Sequence, residues 1–257
     1  MIVNADDFGL CPRVNEAIVR AFDEGLISST TIMANMPAFA EASTIARDRG
    51  LLDHVGAHLV LTEGEPLTDA MRLCRRFCDA DGRFTFWRGE DRAVWLSSDE
   101  RRAVAGELRA QIARCRESGL RVTHLDTHHN VHNQPGIAPL VLDAAQELGV
   151  PAVRVLENTT AEPSLRNRLS VRYFNTRLVR AGLARTRYFG TVGAHRALAA
   201  RGAGPGELDD FEVVTHPALD EQGKLVDALE PDASLRELVA GLPGLTTAVS
   251  FAGARVR

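Results

Sequence analysis

MIVNADDFGLCPRVNEAIVRAFDEGLISSTTIMANM, residues 1–36, reads as strand, helix, strand. The apolar start of MIVNADD gives way to carboxylates at positions 6 and 7. From Pro12 to Glu24, Val14, Ala17, Ile18, Ala21 and Phe22 recur at helical spacing, and Gly25 supplies the stop. The β-branched run 28–36 then reads as a second strand. The same alternation continues outward. A helix is expected over 38–49, stopped by Gly50, and a strand over HVGAHLVLT, 54–62. An irregular stretch follows over 63–98, then a helix over 98–118 with Ser98 as N-cap candidate and Gly119 past its end. RVTHLDTHHN (121–130) is expected as the fourth strand, 135–148 as a helix closed by Gly149, and AVRVL (152–156) as the fifth strand. TRYFGTV (186–192), DFEVVTHPA (210–218) and LTTAVSF (245–251) complete a set of eight.

Alternating strands and helices predict a parallel sheet covered by helices. Eight strands in 257 residues match the size of a (β/α)₈ barrel. A doubly wound open sheet is the structural rival, although no G-x-G-x-x-G follows the first strand to make a dinucleotide site. The chain is expected to form a single domain over 1–257. Its hydrophobic fraction of 45% and charged fraction of 25% are those of a globular protein. A net charge of −4 leaves no basic field for nucleic acid. No apolar run approaches the roughly 18 residues of a membrane span, and the start lacks the basic and apolar regions of a signal peptide. Cys11, Cys74, Cys78 and Cys115 are too scattered for a disulfide framework, which points to a reducing cytoplasm. The seven arginines of 164–187 read either as a solvated helical face or as an anion-binding surface.

The chemistry-bearing residues fall at the ends of the expected strands: Asn4, Asp6 and Asp7; His58 and Thr62; Asp126 to His132; and His216. In a parallel barrel those ends converge on one face. Adjacent carboxylates on an extended chain point to opposite sides, so Asp6 and Asp7 can share a centre only if the chain turns, for which Phe8–Gly9 is the candidate. One of them could instead cap the following helix. His58, in an apolar strand, is either a hydrogen-bonded core residue or a ligand. His124, Asp126 and His128 share a face if their strand runs unbroken, with His129 pointing away. Asp126 could then hold a ring nitrogen. One Asp and two His would leave coordination positions open, which suits hydrolysis by a divalent ion. His216 precedes Pro217 and is biased to an extended conformation, where it could protonate a leaving amine or serve as a core residue. No G-x-S-x-G elbow is present.

NADDFGL (4–10), SSTTIMANM (28–36), GAHLVLTEGEP (56–66), THLDTHHNVH (123–132) and THPA (215–218), in this order, resemble the YdjC-like carbohydrate deacetylases, among them the chitooligosaccharide deacetylases. The resemblance runs from residue 1 to about 220. It implies a distorted (β/α) barrel of the polysaccharide-deacetylase type, with parallel strands and outer helices. It also implies a hydrolase that uses a divalent metal, magnesium or zinc, and a metal-bound water to remove the acetyl group of an N-acetylated sugar or oligosaccharide. By the same resemblance Asp6 is the general base, His216 the general acid, and Asp7, His58 and His128 the metal ligands. Asn130, His132, Asp126 and Arg154 are assigned to substrate contact. Two departures stand out: Asn130 occupies the middle of three alternating histidines, and Thr127 replaces a serine. The expected partner is the sugar, without nucleic acid or membrane, and a homodimer stays open. The alternatives are a metal-dependent hydrolase of another amide or a phosphoester, and a non-catalytic sugar-binding relative.

Overall fold

β1 (Ile2–Phe8) is the strand on which the others are arranged, and all but one of its residues are buried. The computed structural model describes residues 1–85, 93–159, 165–245 and 248–253 of the chain. After β1 come α1 (Pro12–Asp23), β2 (Ser29–Ile32), α2 (Phe39–Asp48), β3 (Val55–Leu59), α3 (Asp69–Arg72), α4 (Ser98–Glu117) and β4 (Leu125–Thr127). A 3₁₀ segment over His128–Asn133 leads to α5 (Ala138–Glu147), α6 (Leu165–Arg180), β5 (Tyr188–Gly190), α7 (Val192–Ala200), α8 (Pro205–Leu208) and β6 (Phe211–Thr215). The remainder is β7 (Pro217–Leu219), β8 (Leu225–Asp227), β9 (Glu230–Ser234) and α9 (Leu235–Ala240).

β1 pairs in parallel with β2 (Asn4 opposite Ser29) and with β6 (Val3 opposite Val213). The sheet runs β4-β3-β2-β1-β6-β5, and its pairs are parallel. Beyond β4 it continues as parallel bridges from Leu125 to Val153 and from Ala152 to Ala184, which curl it toward closure. The architecture is a distorted (β/α) barrel. β7, β8 and β9 form a separate antiparallel sheet. Phe211–Thr215 is buried throughout and mostly apolar, as befits a strand covered on both faces, with Glu212 and Thr215 as its polar members. The apolar side chains of the strands meet those of the helices in one core that includes Phe8, Ile18, Leu59, Leu108, Ile112 and Val213. Each such residue stabilises the fold by about 1.5–3 kcal/mol.

Three strand expectations are corrected. The strand over 121–130 stops at Thr127, because the chain turns at His129 and Asn130. AVRVL (152–156) keeps only single bridges on each side before leaving the sheet. The described part of LTTAVSF (245 and 248–251) forms no strand; Val249 donates once to the carbonyl of Met1, and Phe251 stacks on His124 at 3.8 Å. That segment covers the N-terminal ends of the strands. The long helix α4 starts one residue earlier than Ser98 suggests: Ser97 is the N-cap and forms a capping box with Glu100. Glu107, buried on α4, accepts hydrogen bonds from the backbone of Leu67 and Thr68, and Gln111 binds both backbone groups of Val60. This buried polar pair ties down the chain that leaves β3.

His124 lies at the closed end. A Cβ on Gly56 would meet its ring at 2.5 Å, so only glycine admits it there. Burial pushes the His124 imidazole down to about 3, and burial likewise brings His132 down to about 3. An unfolded histidine takes up its proton near pH 6.5. Between those values the unfolded chain binds the extra proton, so the stability is present above about pH 6.5 and is lost as the pH falls. Each ring contributes a slope of about 1.4 kcal/mol per pH unit. His124→Phe is therefore expected to flatten the stability–pH curve between about pH 4 and 6.5 by one proton. Urea unfolding at several pH values measures it; an unchanged slope would mean that His124 does not resist protonation.

Candidate active site

The end of β1 solves the problem of two neighbouring carboxylates. Asp7 has φ 71°, and the register with β2 shifts between Ala5 and Phe8. The turn begins at Asp7 itself, ahead of the expected Phe8–Gly9. A left-handed conformation costs a non-glycine residue about 1–2 kcal/mol, and aspartate tolerates it better than most. The reversal of the usual alternation puts Asp6 and Asp7 on the same cavity, a space of about 430 Å³ at the C-terminal ends of the strands.

Asp7 Oδ1 lies 3.2 Å from His58 Nε2 and 3.1 Å from His128 Nδ1, and the two nitrogens are 3.2 Å apart. Asp7 Oδ1 is buried and has no hydrogen-bond partner. Three donor atoms from β1, β3 and the turn after β4 thus converge on one point. Tetrahedral ligands held at about 2.0–2.1 Å from a zinc ion sit about 3.3 Å apart. The orphaned oxygen and the spacing both fit a divalent cation. Further out, His58 Nδ1 donates to Asp126 Oδ1 at 2.7 Å, which turns Nε2 toward Asp7 and His128 as a candidate ligand atom. His128 Nε2 faces Glu63 Oε1 at 3.6 Å.

The electrostatics describe a site poised for positive charge. Burial opposes ionisation of Asp7, but His128 and His58 outweigh it and hold the carboxyl well below the usual carboxylate range. Burial opposes protonation of His58, and Asp126 and Asp6 override it and raise the imidazole well above its ordinary value. His128 is raised too, by Asp7 and Glu63 against burial.

A second cluster lies directly beneath. Asp6, His58 and Asp126 also have close ligand atoms. Here the protein supplies its own cation. Arg154 Nη2 sits 2.7 Å from Asp6 Oδ1 and 2.8 Å from Asp126 Oδ2, and Nη1 is 2.8 Å from Asp6 Oδ2. Asn4 donates to Asp6 Oδ1 as well, at 2.8 Å.

The remaining expected residues divide. His216, at the end of β6, lines the cavity, and its backbone N–H donates to Asp227 Oδ2 at 2.9 Å. Asn130 also lines it, although it shares no strand face with His128. Both His129 and Asn130 are left-handed, with φ 54° and 50°. His129, expected to point away, is on the cavity too and pairs with Thr62 Oγ1 at 3.0 Å. Asp126, Arg154 and His132 do not line the cavity; their exposures are 0%, 1% and 1%. Their expected contact with substrate is corrected to a supporting place. Asp126 carries His58, Arg154 carries Asp6, and His132 pairs with Thr127 Oγ1 at 2.6 Å to pin the turn behind His128. None of the described arginines of 164–187 lines the cavity; Arg168, Arg172 and Arg180 are exposed on α6, and the Arg166 side chain lies outside the described residues.

The sequence reading did not single out Glu157, Phe189, Thr191 or Leu229, which also line the cavity. Phe189 and Thr191 obey the strand-end rule that picked out Asp6 and His58, and could have been read from it. Leu229 arrives on the turn between β8 and β9, for which the sequence carries no comparable signal.

A distorted (β/α) barrel with a carboxylate and two imidazoles gathered at its strand ends defines the class: a barrel protein with a candidate oxygen–nitrogen cation site. The chain belongs to the YdjC-like protein family, which matches residues 1–241. Among curated proteins, a carbohydrate deacetylase of Brevibacillus brevis is 43% identical over 151 residues, covering 59% of this chain and 57% of that protein. One of Geobacillus stearothermophilus is 42% identical over 150 residues, 58% of this chain and 57% of that protein. The matched stretch thus spans little more than half the length of these relatives. Among solved structures, one described as that of a cellobiose-phosphate cleavage protein from Enterococcus faecalis superposes with a TM-score of 0.63. It is 24% identical and covers 86% of this chain and 82% of that one, a likeness of fold.

Proposed function

We propose that the chain is a metal-dependent carbohydrate deacetylase that hydrolyses the acetamide of an N-acetylated sugar or oligosaccharide. The observation that carries this reading is the convergence of Asp7 Oδ1, His58 Nε2 and His128 Nδ1 in a cavity that also holds Asp6 and His216. The deacetylase names of the Brevibacillus and Geobacillus relatives support it. A divalent cation bound there would supply Lewis acidity, polarising the acetyl carbonyl and acidifying water. One oxygen and two nitrogens suit zinc better than magnesium, which prefers oxygen ligands.

The residues of the chain provide the rest. Asp6 accepts the proton of the attacking water, its carboxylate held by Arg154. His216 donates a proton to the nitrogen as the C–N bond breaks, so that acetate and a free amine leave. Phe189 and Leu229 offer apolar surface to the carbon face of a pyranose, and the Asn130 amide can both donate to and accept from hydroxyls. A phosphoester substrate is disfavoured because the described residues lining the cavity include no arginine or lysine. Four unpaired cysteines fit a reducing compartment, the cytoplasm.

The test is acetate release from N-acetylated mono- and oligosaccharides by the parent protein, after chelation, and after reloading with zinc or magnesium. His128→Ala is expected to lower zinc affinity at least about 10–100-fold and to abolish turnover. Parental zinc binding by that variant would remove His128 from the ligand set. Phosphate release from sugar phosphates, with no acetate from any acetamide, would overturn the deacetylase reading.

A further inference from the structure

Glu212 stands within β6 at 0% exposure, and its side chain reaches beneath the cavity instead of into it. Oε1 accepts from Arg154 Nε at 2.7 Å, and Oε2 is buried without a partner. Both edges by which the Arg154 guanidinium can grip a carboxylate are therefore occupied. The Nε edge meets Glu212, the two Nη groups grip Asp6, and Nη2 also reaches Asp126. One face of the group lies against the Phe189 ring, 4.6 Å from its centroid.

A guanidinium can hold a carboxylate in two ways, end-on through both Nη groups or side-on through Nε and one Nη. The two grips orient the carboxylate differently. With Nε already committed to β6, only the end-on grip remains for Asp6. We infer that Glu212 is a positioning residue for the reaction: by occupying the Nε edge of Arg154 it fixes the orientation in which Asp6 faces the cavity. The inference rests on the reading of Asp6 as the proton acceptor.

The charges are consistent with a role as acceptor and not as counter-ion. Arg154 sets a single guanidinium against three carboxyl groups among the described residues: Asp6 from β1, Asp126 from β4 and Glu212 from β6. Burial pushes the Glu212 carboxyl up to about 7, against the pull of Arg154. A neutral acid still offers Oε1 to Nε, and Oε2 is the oxygen free to carry the proton. Glutamine reproduces that state, with the same carbonyl oxygen and no charge. Leucine fills the space and offers no acceptor.

The experiment compares Glu212→Gln and Glu212→Leu with the parent on the best acetylated substrate, together with zinc affinity and the exchange of the Arg154 Nε proton by NMR in metal-free protein. Glu212→Gln is expected to keep kcat within a few-fold and to keep a slowly exchanging Nε proton. Glu212→Leu should lose about 10²-fold in kcat, the scale of a misplaced catalytic group. It should keep KM and zinc affinity and expose the Nε proton to exchange. If leucine prevents folding, Glu212→Asp, one methylene shorter, carries the same expectation with a smaller loss. Parental kcat in the leucine or aspartate variant overturns the inference, and so does a glutamine variant as impaired as either. If the parent releases no acetate from any sugar, the proposed function fails. The Nε proton then decides the geometry alone, and protection retained in Glu212→Leu overturns it.

Discussion

Replacing Arg154 with methionine is expected to destabilise the fold by at least about 3–5 kcal/mol at pH 7, the cost of leaving buried charges without their partner. The guanidinium is 0% exposed and holds Asp6, Asp126 and Glu212. Burial opposes its charge, yet Asp126, Asp6 and Glu212 raise its affinity for the proton well above the ordinary value for arginine. Methionine matches the length of the chain but leaves carboxyl groups from three strands facing one another in a dry interior. Protonation is their relief. The folded variant then binds more protons than its unfolded chain, so its deficit relative to the parent should shrink as the pH falls from 7 toward 5. Urea unfolding at both pH values checks this. A variant as stable as the parent at pH 7 would mean that the cluster is not held by its arginine.

Asp6→Asn should lower kcat by about 10²–10⁴-fold, the usual scale for removal of a general base. Zinc affinity should change little, because the two oxygens of Asp6 face Arg154, and the proposed ligand atom on this strand is Asp7 Oδ1. The asparagine amide also turns an N–H toward one Nη, a donor against a donor, so the stability of the variant must be measured with its rate. Asp126 is no substitute base. It is completely buried, and its oxygens are engaged by His58, Thr31 and Arg154. A well-folded, zinc-binding Asp6→Asn protein with a near-parental rate would move the proton-accepting role to another residue on the cavity.

The parts of the molecule that could be read in advance are those governed by period. α1 shows its buried face as Ala17, Ile18 and Ala21, and β1 and β6 show apolar runs that end in Asp6, Asp7 and His216. The rule that polar strand ends converge brought Asp6, Asp7, His58 and the Asp126–His132 stretch to one face, and the family resemblance picked Asp7, His58 and His128 from among them. The turn after Thr127 was not legible, because HHNVHN alternates in a way that suits an extended strand as well as a 3₁₀ segment. Only the left-handed torsions of His129 and Asn130 decide between them. LTTAVSF has the composition of a strand, but its described residues 248–251 lie across the sheet's closed end, and composition does not encode that placement. Arg154 carried a signal that went unused. A lone arginine inside the apolar run AVRVL must find buried carboxylates, and Glu212, inside the equally apolar FEVVT, is a carboxylate with the converse need.

The small antiparallel sheet has a consequence for how such a protein can diversify. Asp227 on β8 binds the backbone N–H of both His216 and Leu229, and Ala228 donates to the carbonyl of His216. One contiguous stretch, 216–234, therefore frames the proposed acid and contributes an apolar wall of the cavity, while Asp7, His58 and His128 come from the barrel. The two halves of the proposed chemistry are carried by separately encoded modules. Changes in the length or sequence of the β8–β9 turn can remodel the room in the cavity without passing through the candidate cation site. A lineage could in this way explore new substrates while its barrel stayed the same.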